Sequence, residues 1–159
     1  MQPKWPGLSA RRTAERNAVL KAQAAARKCD GFIIAADTIV ATRFGIVGKP
    51  RSIRDAVRIL SRLSGTRHRV ITGLCLLDTA TGRTKIASEV TYVKMRKMTP
   101  EEIQAYVDSG EALSKAGAYA IQETGDRYVE KVEGSLTNVV GLPVELLTKM
   151  LRQFGVKCF

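Results

Sequence analysis

The stretch that most constrains the fold is Phe32-Ile33-Ile34-Ala35-Ala36, an apolar run bounded by Gly31 and closed by Asp37. A short apolar run with a glycine boundary predicts a buried strand over Gly31–Val40. An acid closing that strand would sit at the carboxyl edge of a sheet, where open α/β sheets bind ligands. Arg43-Phe44-Gly45-Ile46 then predicts a turn, with Gly45 at positive φ, before the chain returns to Gly48-Lys49-Pro50. An acid on one limb of a hairpin and a lysine on the other suit water activation beside a phosphate. Taken alone, a turn-capping Asp37 and a solvated Lys49 is the simpler reading.

The flanking segments predict a single α/β domain. Residues 10–28 are rich in Ala, Arg and Lys, which favours a helix capped by Ser9 and packed closely on a sheet through alanines. Met1–Leu8, with Pro3, Pro6 and Gly7, is expected to be an irregular leader. Ser52-Ile53-Arg54-Asp55 opens a helix that ends at Ser64-Gly65. Arg69–Leu77 and Thr84–Arg96 are expected to pair as a long antiparallel ribbon turned by Asp78–Gly82. Thr99-Pro100-Glu101-Glu102 is a capping box whose helix stops at Gly110. A tight small-residue segment follows over Lys115–Gln122, then a strand over Tyr128–Val132 and a final helix opened by Leu142-Pro143.

Composition narrows the chemistry. The formal charge is +11, and residues 1–28 hold seven Lys/Arg against the one acid Glu15. Such a basic end suits nucleic acid, a polyphosphate or a solvated helix face. Cys29, Cys75 and Cys158 are too scattered for a zinc site or disulfide frame and read as reduced cytosolic thiols. One histidine, His68, argues against a histidine triad or multi-histidine metal site. No Walker loop and no GxGxxG is present. What remains is Lys21, Asp37, Thr38, Lys49, Glu111, Lys115 and Gln122 in glycine-rich surroundings. Phosphate chemistry needs several cations around one anion and an acid to activate water or hold a metal. Gly117 would let backbone approach a ligand, and Gln122 can read a base edge through its amide.

The order of these pieces carries a resemblance. Ala36-Asp37-Thr38-Ile39-Val40, Gly48-Lys49-Pro50, Leu63–His68 and Thr72-Gly73 are followed by Tyr106-Val107, Gly110-Glu111 and Lys115–Tyr119. Ile121-Gln122, Glu133-Gly134-Ser135 and Asn138–Pro143 complete the series. Together they resemble the Maf family of nucleoside triphosphate pyrophosphatases over residues 14–156, in the branch acting on dTTP and UTP. The resemblance implies an α/β fold with a mixed sheet, flanking helices and a two-lobed cleft. It implies hydrolysis of a nucleoside triphosphate to the monophosphate and pyrophosphate in the cytoplasm, with a divalent metal, Mg or Mn. Asp37 would be the catalytic proton acceptor and the candidate metal ligand. Lys21, Lys49 and Lys115 would contact phosphates, and Thr38 and Gln122 would sit beside the base.

The family opens with a strand and a Ser-x-Ser-Pro-Arg-Arg loop that this sequence lacks, so an N-terminally truncated domain over 9–159 is expected. Ser114 stands where the family usually has Asp, and Glu123 where it usually has Gly. The alternative is a catalytically impaired nucleotide- or nucleic-acid-binding module. A homodimer is left open, a membrane partner is not expected, and nucleic acid is kept only for the basic N-terminal helix.

Overall fold

The computed structural model describes residues 6–121 and 127–157. Helix α1 (Pro6–Ala26) leads into β1 (Phe32–Thr42), β2 (Gly45–Val47), α2 (Ile53–Leu63), β3 (Arg67–Asp78) and β4 (Thr84–Met95). Then come α3 (Pro100–Asp108), two short 3-10 turns over Glu111–Ser114 and Ala116–Ala118, β5 (Val129–Glu133), α4 (Leu136–Val140) and α5 (Val144–Phe154). The strands form one sheet in the order β2-β1-β3-β4-β5. All four pairings are antiparallel, which corrects the expected mixed sheet. The reason is local: β1–β2 and β3–β4 are hairpins, and α2 returns the chain antiparallel beside β1. Along Phe32–Ile39, β1 pairs with β3 on one side and with no other strand among the described residues.

One face of the sheet is covered by α1. Its Ala10, Ala14, Ala18 and Ala22, one turn apart, are fully buried against Ile33, Ala35, Ile39, Ile71 and Cys75. The approach is so close that a Cβ on Gly73 would stand 2.4 Å from the backbone of Ala14. The alanine stripe of the sequence thus becomes a packing device. The helix begins at Pro6, so Ser9 lies inside it rather than capping it, and residues 6–8 are helical rather than irregular.

The other face carries two apolar clusters. Val40, Val70, Val93 and Met95 pack against α2 and α3 through Leu60, Leu63, Ile103 and Tyr106. Further along the same strands, Leu74, Leu76, Ala36 and Ala87 pack against Met150 and its neighbours on α5. Between the clusters the sheet presents Thr38 and Thr72, paired across β1 and β3. Polar residues at that position interrupt the apolar layer, and the two clusters become the two lobes of a cleft.

Helix ends follow the local chemistry. Ser52 accepts from the Asp55 amide at 3.1 Å to start α2. Thr99 and Glu102 form the reciprocal capping box of α3. Ser135 accepts from the Asn138 amide and starts the five-residue α4, which the sequence patterning did not separate from its surroundings.

Candidate active site

Asp37 is not at a strand end. The β-branched run continues past it as Thr38-Ile39-Val40, and β1 reaches Thr42. Asp37 and Thr38 are therefore neighbours in mid-strand, and successive side chains of a strand point to opposite faces. Asp37 faces α1 and Thr38 faces the cleft.

On the α1 side, the Lys21 ammonium donates to Asp37 Oδ1 at 2.7 Å and to the Ala36 carbonyl at 3.0 Å. Asn17, one turn earlier, donates to Asp37 Oδ2 at 2.9 Å. Both carboxylate oxygens are thus held by α1. The lysine is 57% exposed and the aspartate 18%, so the pair meets solvent on the lysine side. Asn17 belongs to this site although only its spacing of four from Lys21 hints at it.

On the cleft side, the Thr38 hydroxyl lies 2.8 Å from the Thr72 hydroxyl and donates to the Gly141 carbonyl at 3.3 Å. Around it opens a cavity of about 250 Å³ whose wall includes Val40, Lys49, Lys115, Tyr119, Ile121 and Val139–Gly141. The structure therefore brings Thr38, Lys49 and Lys115 together, and Lys21 with Asp37, on opposite faces of β1. Gln122 lies outside the described residues; Ile121, which precedes it, is on the cavity wall.

The loop that carries Lys115 is pinned at three points. The Gly117 amide donates to the Gly48 carbonyl at 3.3 Å, tying the two lysine-bearing segments together. The Ala120 amide donates to the Tyr106 hydroxyl at 3.1 Å. The Tyr119 hydroxyl meets His68 Nε2 at 2.7 Å in the buried core. Gly117 has φ 73°, and a Cβ there would meet Val40 at 3.0 Å. Its smallness lets the loop approach β1. Burial pushes the His68 pKa down to about 4 and raises that of Tyr119, so both stay neutral beside the cleft.

The opposite wall is set by Asn138, fully buried, whose side-chain amide donates to the Val70 carbonyl at 3.1 Å and to Thr91 at 3.0 Å. These bonds lock α4 onto β3 and β4 and place Gly141 beside Thr38. Asn138, Thr72, Tyr119 and His68 thus support the site. The sequence offered them only as parts of motifs, because their partners lie far along the chain.

No group of three or more His, Cys, Asp or Glu side chains converges among the described residues. Asp37 offers one carboxylate, already bonded at both oxygens. The described donor set does not form a metal cage, so no step below is routed through a protein-held ion.

A family model described as Maf-like protein matches residues 2–154. Curated relatives named dTTP/UTP pyrophosphatase include one from Syntrophomonas wolfei, 46% identical over 152 residues, covering 95% of this chain and 80% of that protein. Another, from Acetivibrio thermocellus, is 48% identical over 125 residues, covering 79% of this chain and 62% of that protein. A third, from Dehalococcoides mccartyi, is 45% identical over 143 residues, covering 89% of this chain and 64% of its own length. The chain spans less than two thirds of those last two relatives. A family match over nearly the whole chain, on a fold whose cleft gathers the motif residues, establishes that this chain belongs to the Maf family.

Proposed function

We propose that this chain hydrolyses dTTP and UTP to the monophosphate and pyrophosphate. The carrying observation is the placing of Asp37 and Thr38 on either face of a strand whose edge along Phe32–Ile39 pairs with no second strand among the described residues. A substrate at that edge would reach Asp37 from one face of β1 and Thr38 with the cleft lysines from the other. Its relatives' printed activities support the same reading.

The residues divide the work. Lys49 and Lys115 line one cavity and supply fixed positive charge for phosphate oxygens. Lys21 holds Asp37 at 2.7 Å until an incoming phosphate competes for its ammonium. Asp37 then takes the proton of a water whose oxygen bonds to the α-phosphorus. The bond from that phosphorus to the bridging oxygen breaks, and pyrophosphate leaves with the electron pair. Thr38 and Gln122 set the base preference. A divalent ion, Mg or Mn, would supply charge neutralisation of the triphosphate. No described helix is long and apolar enough to cross a membrane.

Asp37→Asn tests the assignment, since it keeps the shape and the Asn17 side of the site. Turnover of dTTP should fall about 100-fold or more, with thermal unfolding unchanged. Turnover near that of the parent chain would remove Asp37 as the proton acceptor.

A further inference from the structure

A second, larger cavity lies beside the cleft. It measures about 680 Å³ and runs between the β1–β2 hairpin, α2 and the start of β3. Its wall holds six cations and a single acid, Asp55. Arg58 is neutralised by Asp55 at 2.6 Å and Arg67 by Glu133 at 2.6 Å. Arg43, Lys49, Arg51 and Arg62 have no ion-pair partner among the described residues. Four cations outside any direct ion pair, of which Arg51 alone feels the Asp55 carboxylate, make the groove locally positive.

The groove is not only basic. Phe44, at the tip of the hairpin, is 79% exposed on its lip, with the Arg43 guanidinium 4.6 Å above its ring. Ile46 is also exposed there, and Ile59 and Leu63 form the floor. The exposed Phe44 ring offers an aromatic face beside the cations. A simple phosphate or a polyphosphate chain would satisfy the arginines and leave Phe44 and the apolar floor in water. Cations that track a backbone, together with an aromatic platform for a base, are the features by which proteins bind single strands without sequence preference.

We propose that this groove binds single-stranded nucleic acid, with Arg43, Arg51 and Arg62 on phosphates and a base stacked on Phe44. The site is separate from the proposed hydrolysis and does not rest on it; the two cavities share only Lys49. Its place also differs from the basic helix α1, which lies against β1 and β3.

The test is fluorescence anisotropy of a labelled oligothymidylate of about a dozen nucleotides, titrated with the whole chain in the absence of any nucleoside triphosphate. Engagement of about three phosphates predicts that a fourfold rise in salt weakens binding about twentyfold. Phe44→Ala should weaken it about tenfold through lost stacking. Arg51→Glu with Arg62→Glu should weaken it more than tenfold, while dTTP hydrolysis and thermal unfolding stay at parent values. The matched reversal on α1, Arg11→Glu with Arg12→Glu, should leave binding within about threefold. Unchanged affinity in the Arg51/Arg62 variant, or loss confined to the α1 variant, would overturn the proposal. Full displacement by inorganic polyphosphate with no effect of Phe44→Ala would overturn it as well, since that is the behaviour of a plain anion site.

Discussion

His68 shows how one buried side chain can govern the cleft from a distance. It is 2% exposed, bonds Tyr119 through Nε2, and has no partner for Nδ1 among the described residues. Burial lowers its pKa from 6.5 to about 4. The unfolded chain takes up a proton near the ordinary value, and the folded chain resists it. Stability is therefore complete above about pH 6.5 and declines as the pH falls toward 4, by on the order of 3 kcal/mol. Glu102, held down to about 2 by Arg96 and the Thr99 amide, acts only below its ordinary value of 4.5. Denaturant unfolding between pH 6.5 and 5 should thus report His68 almost alone, and His68→Gln should flatten that slope. A slope unaltered in the variant would mean that the imidazole is not the titrating group. From sequence, a single histidine argued against a histidine triad or multi-histidine metal site, but its bond to a tyrosine 51 positions away could not be foreseen. The same holds for Asn138: its residue type was visible, its role in clamping α4 was not.

At the level of elements, α1 lies so close to β3 at Gly73 that a Cβ there finds no room. Gly73→Ala would push a methyl group into the Ala14 and Glu15 backbone, at ideal distances of 2.4 and 2.5 Å. A backbone cannot rotate away as a side chain can, so α1 must lift from the sheet. The expected loss is about 3 kcal/mol or more in equilibrium unfolding. Dissociating Lys21 and Asn17 from Asp37 should lower turnover in parallel. A variant with the parent's midpoint would show that the helix does not seat there. Much of this level was readable in advance: the close packing of an alanine-rich α1 on the sheet, the ribbon of β3 and β4, and the capping box of α3 all emerged where local chemistry placed them. The strand was expected over Gly31–Val40 with Asp37 closing its apolar run, whereas in the fold it runs to Thr42 with Asp37 in mid-strand. In the fold that acid is compensated by two donors from α1, so the β-branched residues beyond it prevail. The opposite facing of Asp37 and Thr38 depends on this mid-strand place, and so escaped a reading that put the acid at the carboxyl edge of the sheet.

For the whole molecule, the hydrogen bond from the Gly117 amide to the Gly48 carbonyl has a thermodynamic consequence. It holds two lysine-bearing segments on one small cavity, and neither Lys49 nor Lys115 has a carboxylate partner among the described residues. Folding must therefore bring like charges together, and an anion between them relieves that repulsion. On the proposed activity, the folding equilibrium would thereby be coupled to the reaction's own product. Pyrophosphate at about a hundredfold its Kd should stabilise the chain by about 2.7 kcal/mol and raise Tm by about 5–10 °C. Lys49→Ala and Lys115→Ala should each shrink that rise, measured by thermal unfolding, and an equal rise in all three chains would sever the link. A cell that lets pyrophosphate accumulate would then make this fold longer-lived while crowding its cleft, so that the protein's lifetime and its product inhibition report the same concentration.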